Sequence, residues 1–244
     1  MKVFLGIKRG IYMMKEILDK FKYGEFIKSI NESDYLEFKE VNDVEEWGKN
    51  HYFKWSEEYK NNMNIMKGAK REAKEGMENF CSTQVIEEYC GYEYTKINSY
   101  LRDNKDKEDK LGREMATILG ILLTMAPRIP ENIIVYRLVC DNFVKELIEN
   151  NKIGKPTVDR GFISTSLLKE IVNSDEAYSG YNNLLKIYVP KNTVGIYVNG
   201  IEKREEQELL LFPNGWFRLI KSPYIDCNKK VYECEIFYFN HYLF

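Results

Sequence analysis

Histidine is nearly missing from this chain: there are two in 244 residues, His51 and His241, near opposite ends. Neither stands at metal-ligand spacing from another candidate, which leaves no basis for a histidine-based triad or zinc hydrolysis. Cysteine is sparse and unpatterned. The five, Cys81, Cys90, Cys140, Cys227 and Cys234, contain no Cys-x-x-Cys and are odd in number. They read as small buried residues in a reducing compartment, with a Cys227–Cys234 pairing across a hairpin left open. No apolar stretch reaches the ~18 residues that a membrane span needs. At the start, Met1-Lys2-Val3-Phe4-Leu5-Gly6-Ile7-Lys8-Arg9 is broken by charge too early for a signal core, so the chain is expected to be intracellular or the mature form of an exported protein. A net charge of −2 provides no global basic field, and nucleic acid is not an expected partner.

What is present is a large core: 44% apolar and 14% aromatic residues, enough for one compact unit, with no internal repeat or low-complexity linker. The first half has helical periodicity. In residues 12–30, Met14, Ile17, Leu18, Phe21, Phe26, Ile27 and Ile30 approximate an apolar stripe with Lys15, Lys20 and Lys22 interleaved, read as a core-facing helix rather than a membrane-surface one. Further helices are expected over 44–59, 62–80, 94–104 and 111–125, the last ended by Ala126-Pro127. The second half changes period. Short β-branched or aromatic runs at 133–139, 161–166, 184–189, 194–198, 208–212, 216–220 and 231–239 read as strands between turns. Helices first and strands after predict an α+β fold, a helical N-terminal half packed on a mixed, mostly antiparallel β-sandwich core.

Three polar features stand on those strands. Glu206-Gln207-Glu208 runs into an apolar stretch, so alternation would point Glu206 and Glu208 the same way, as paired acids for glycosidic chemistry. On spacing alone a solvated loop is the simpler reading, because charged residues come just before. Val135-Tyr136-Arg137 carries an arginine on an apolar strand, and Ser164-Thr165-Ser166 ends another with three hydroxyls, which could equally cap a helix from Leu167.

Together and in this order, the strand arginine, Ser-Thr-Ser and Glu-x-Glu resemble the signature of mono-ADP-ribosyltransferase toxins. The likeness is to the enzymatic components of clostridial binary toxins of the iota type and to the Rho-modifying clostridial exoenzymes. Glu45-Glu46-Trp47-Gly48-Lys49-Asn50-His51-Tyr52 looks like the family's first catalytic helix. Tyr89, Tyr94 and Ile97-Asn98-Ser99-Tyr100-Leu101-Arg102 look like its dinucleotide-contacting helix. The resemblance implies an ADP-ribosyltransferase domain over 41–244 and an N-terminal helical extension over 1–40. It implies NAD as co-substrate, without a metal and without the Gly-x-Gly-x-x-Gly of a Rossmann fold. Arg137 and Arg102 would hold the diphosphate and Asn98 would add a hydrogen bond. Tyr89, Tyr94 and Tyr178 would line the dinucleotide, and the Leu138 main chain would meet the nicotinamide carboxamide. Ser164 would orient Glu208, the anion that stabilises an oxocarbenium-like state. Glu206 would be the base for an acceptor arginine, since the Rho-modifying exoenzymes carry glutamine there and modify asparagine.

The expected activity is transfer of ADP-ribose from NAD to an arginine of a host protein in the host cytosol, by a secreted or delivered effector. Actin is a leading candidate; a small GTPase acceptor, NAD glycohydrolysis and a non-catalytic binding module are the alternatives, and a translocation partner is possible. Lys203 and Arg204 lie on the loop expected to touch the protein substrate, with Lys203 where the family often has an aromatic residue. Leu138 stands where many relatives have a second arginine. Tyr181 or Asn182 falls where another arginine is expected, a charge that Lys186 could replace.

Overall fold

The computed structural model describes residues 14–26, 30–61, 64–73, 82–103, 109–170, 180–203 and 205–239. Helix α1 covers residues 14–23. It is followed by α2 (Val41–Asn61), α3 (Asn64–Glu72), α4 (Val85–Glu88), α5 (Tyr94–Arg102) and α6 (Lys110–Met125). In α2, Val44, Trp47, Gly48, Tyr52, Trp55 and Tyr59 recur at three- and four-residue spacing and are buried. The α6 helix starts where Asp109 accepts a hydrogen bond from the Gly112 N–H at 3.0 Å. It ends where Ala126, forced extended by Pro127, leaves the helical region.

Nine strands follow among the described residues: β1 (Ile133–Val139), β2 (Thr157–Asp159), β3 (Ile163–Ser166), β4 (Asn183–Val189), β5 (Gly195–Tyr197), β6 (Glu208–Leu211), β7 (Gly215–Leu219), β8 (Tyr224–Asp226) and β9 (Lys229–Phe237). They pair in the order β2-β7-β9-β4-β1-β3-β6-β5, with β8 on β9. Among these described strands only β4 and β9 run parallel, so the sheet is mixed and mostly antiparallel as expected. The join between β1 and β3 is a single pair, Tyr136 opposite Ser166. There the strand path folds back, and the Tyr238 hydroxyl of the β9 end donates to the Phe212 carbonyl of the β6 end at 2.9 Å. The one-pair join leaves the end of β1 open on its β3 side, which makes room for a cleft.

All seven anticipated strands are present. Helix α7 (Asp141–Lys152) and the short β2 and β8 were not anticipated. Cys227 is exposed and Cys234 buried, and both are free thiols, so the hairpin disulfide is not formed. Burial pushes the Cys234 thiol up. Among the described residues, no helix is long and apolar enough to cross a membrane.

The N-terminal stripe is a correction. Phe26 and Ile30 do pack on the core, and Ile27 lies outside the described residues, but Met14, Ile17, Leu18 and Phe21 are exposed. What α1 turns inward is Tyr23, 5% exposed. Ahead of α2, Leu36 bridges Ile133 in parallel, and the Ile134 N–H donates to the Leu36 carbonyl at 2.9 Å.

Gly48 fixes how closely α2 approaches the sheet, because a Cβ there would lie 2.1 Å from the Tyr197 ring. Gly48→Ala should therefore lower stability by roughly 1–3 kcal/mol through overpacking, read as a lower midpoint in urea with an unchanged slope.

Candidate active site

The chain between α4 and α5 is a π-helical turn, Tyr89–Glu93, in which Gly91 takes a non-helical ψ of −115°. Such a turn shifts the side-chain register of a helix and recurs at functional sites. Here Tyr89, Cys90 and Gly91 line a cleft of about 330 Å³ together with Tyr94 and Asn98. The opposite wall carries Arg137 and Leu138 from β1, the three hydroxyl residues of β3, and Glu206 and Glu208.

Asp159, at the end of β2, organises the basic side. Arg102 grips it with Nε at 2.8 Å and Nη2 at 3.0 Å, and Arg137 Nη2 approaches to 3.2 Å. The Gly161 N–H adds a bond at 3.0 Å. Burial alone would raise this carboxyl, but the charges of both arginines and these hydrogen bonds hold it below the usual carboxylate range. Gly161 has no room for a side chain, since a Cβ would sit 2.7 Å from Asn98 Oδ1 and 2.8 Å from Arg102 Cζ. Among the described residues, Arg137 Nη1 is buried without a hydrogen-bond partner. A planar guanidinium beside a cleft with a donor unspent fits an anionic ligand such as a diphosphate.

The acidic side departs from its expected geometry. The strand begins at Glu208, and Gln207 has a left-handed φ of 47°, so Glu206 sits on a turn and alternation does not bring the two acids together. Gln207 is buried, and its side-chain oxygen accepts from the Tyr197 hydroxyl. Both acids nevertheless line the same cleft. Glu208 is 4% exposed, and its N–H donates to Asn199 Oδ1 at 3.0 Å. One carboxylate oxygen of Glu208 lies 3.9 Å from Cys90 Sγ.

The other anticipated residues separate. Tyr89 is buried and edge-on to Phe162, and its hydroxyl accepts from Asn98 Nδ2 at 3.1 Å. Burial, then the charge of Glu208, pushes that hydroxyl well up. Asn98 Oδ1 also accepts from the Phe162 N–H at 2.8 Å, so its carboxamide braces the cleft wall. Tyr94 and Tyr181 are exposed at the rim. Thr165 donates to the Leu209 carbonyl at 2.7 Å, and Ser166 forms a local turn with Leu168 rather than a helix cap. Ser164 is exposed, the one of the three hydroxyls not engaged among the described residues; the register sets it opposite Leu210 and sets Ser166 opposite Glu208.

Arg102 stands behind the cleft rather than on its lining. Lys186 is not a substitute arginine: it is tied to Glu37 at 3.2 Å and does not line the cleft. Lys203 borders a separate recess with Glu45, Lys49 and Phe53. Tyr178 and Arg204 lie outside the described residues. Asp159, Cys90 and Asn199 were missed; the one signal for Asp159 is an acid two places before Gly161 and the hydroxyl strand. Among the described residues, no group of three or more His, Cys, Asp or Glu could hold a metal ion.

The fold is α+β, with an arginine, a hydroxyl strand and two acids on one cleft. The sequence profile described as ADP-ribosyltransferase exoenzyme matches residues 44–222, and the chain belongs to that family. No curated protein matches it. Among solved structures it is similar to Plx2a, an ADP-ribosyltransferase toxin from Paenibacillus larvae, at 18% identity over 83% of this chain and 100% of that one, with a TM-score of 0.61. The Clostridium limosum C3 exoenzyme matches at 19% identity over 84% and 98%, with a TM-score of 0.56. The ADP-ribosylating toxin BECa of a C. perfringens binary enterotoxin, solved with NADH, matches at 22% identity over 83% of this chain and 50% of that one, with a TM-score of 0.57.

Because the Asp159 carboxyl is lowered in the fold, its stabilisation is present above about pH 4, the unfolded value, and is lost as pH falls through the folded one. Asp159→Asn should cost roughly 2–4 kcal/mol at neutral pH by leaving Arg137 uncompensated. It should also flatten the acid limb of a stability-against-pH series measured by urea unfolding.

Proposed function

We propose that this chain transfers ADP-ribose from NAD to an arginine of a host protein, with actin a leading candidate, and releases nicotinamide. The observation that carries this reading is that Glu206 and Glu208 line one cleft with an arginine whose Nη1 is buried and has no partner among the described residues. In this reading residues 41–244 are the catalytic unit, with 1–40 an N-terminal helical extension.

Arg137 receives the diphosphate, and Arg102 reinforces it through the shared Asp159. Tyr89, Tyr94 and Tyr178 line the dinucleotide in this reading, and Asn98 offers its second Nδ2 hydrogen. The Leu138 main chain, past the one-pair join of β1 and β3, meets the nicotinamide carboxamide. Glu208, positioned with help from Ser164, stabilises the positive charge that develops on the ribose as the C1′–N bond breaks and its electron pair leaves with nicotinamide. A guanidine nitrogen of the acceptor then bonds to C1′. Arginine stays protonated in water, so attack requires a base, and Glu206 takes that proton. Lys203 and Arg204 are assigned to recognition of the acceptor protein. The protein is delivered to, and acts in, the host cytosol, by a translocation partner if one is used.

Incubation with labelled NAD and a eukaryotic lysate should label a protein on arginine. Glu208→Gln should lower both labelling and nicotinamide release by about 10²–10³. Glu206→Gln should lower arginine labelling by a comparable factor, about 10² or more, while NAD hydrolysis persists. Labelling on asparagine would redirect the reading to a GTPase-type acceptor. Nicotinamide release without any labelled protein would assign a glycohydrolase, and a chain with neither turnover nor an NAD-dependent thermal shift would be a binding module.

A further inference from the structure

Helix α1 is docked by its polar side. Its last residue, Tyr23, is buried, and Asn151 Nδ2 of α7 donates to the carbonyls of Tyr23 at 2.6 Å and Glu25 at 3.1 Å. Gly24 ends the helix with a left-handed φ of 87° and packs so tightly on α7 that a Cβ would meet the Asn151 carbonyl at 2.2 Å. Earlier along the same side, Asp19 accepts a hydrogen bond from Ser222. These contacts fix the rotation of α1 about its axis.

That rotation leaves Met14, Ile17, Leu18 and Phe21 facing outward, 63–89% exposed. At 100° per residue they fill one arc of about 100°. Lys15 and Lys22 flank the arc on one side and Lys20 on the other, whereas the two acids, Glu16 and Asp19, fall on the opposite, protein-facing half. The sequence around the helix is basic in the same way: residues 1–25 hold Lys2, Lys8, Arg9, Lys15, Lys20 and Lys22 against Glu16, Asp19 and Glu25, in a chain that is acidic overall.

Lys20 is paired with Glu25 at 2.5 Å, which leaves Lys15 and Lys22 as the basic border of the arc; an apolar arc with such a border is complementary to a surface that is apolar within and anionic at its rim. We propose that α1 lays this face in the interfacial layer of an anionic lipid membrane, with the lysines at the headgroups, so that the protein binds reversibly without spanning. A self-associating face would pair the same lysines with one another across a two-fold, which their charge opposes.

The test is co-sedimentation of the whole chain with phosphatidylcholine vesicles, with and without phosphatidylserine, alongside light scattering of the protein alone. The expected result is binding to the phosphatidylserine vesicles only, weakened by salt. Phe21→Asp should reduce that binding roughly ten-fold or more, and each of Lys15→Glu and Lys22→Glu about five-fold. All three positions are exposed, so thermal unfolding should stay as in the parent. Equal binding to uncharged vesicles, no binding to either kind, or binding untouched by Phe21→Asp would overturn the proposal. So would a dimer that Phe21→Asp dissociates in a chain that ignores lipid.

Discussion

Asp159 is buried between two guanidinium groups, and the geometry of the cleft depends on that charge. An isolated carboxylate at this depth would be costly, and two converging arginines without it would repel. Together they tie α5, through Arg102, to β1, through Arg137, across the end of β2. Gly161 is small enough to let Arg102 and Asn98 pass. Asn98 then braces Phe162 and Tyr89, and the residue after Tyr89 meets Glu208. One buried acid is thus linked, through hydrogen bonds, neighbouring residues of the chain and the Cys90–Glu208 contact, from the basic wall of the cleft to the acidic one.

The ion cluster also explains why Arg137 is available to a ligand. Asp159 engages Nη2 and offsets part of the cost of burying the guanidinium, but leaves Nη1 without a partner among the described residues. A site that had to turn its arginine inward on binding would spend affinity on that ordering; here it is already held. The single-pair join of β1 to β3 does comparable work for the backbone, because the strand end beyond Tyr136 is not covered by β3.

Much of this was legible in the chain, and the failures have distinct causes. Every anticipated strand formed, because β-branched runs between turn residues report local preference and burial at once. Helix α7 went unread although Phe143, Val144, Leu147 and Ile148 recur at helical spacing, because it lies among strands. The stripe of residues 14–21 was read correctly as one face and assigned to the wrong surroundings: periodicity says that a helix is two-sided, and only the contacts of Tyr23, Gly24 and Asp19 say which side meets the protein. Alternation failed at Glu206-Gln207-Glu208 because it assumes extended backbone at every step. Gln207 is instead left-handed, with its amide oxygen engaged by Tyr197.

That last departure bears on how two acids so close in sequence can divide their work. Glu208 belongs to a strand, paired on one side to β3 and on the other capped through its N–H by Asn199, so its carboxylate has little freedom. Glu206 lies one left-handed residue away on a turn, half-buried at the same cleft. Under the proposed reading, a charge that must meet a developing oxocarbenium gains most from a fixed position, since stabilisation without reorganisation is what distinguishes a site from water. A base that must meet a side chain brought by another protein gains from a backbone that can yield. Two acids on one regular strand would share one rigidity; the buried, left-handed Gln207 gives them two.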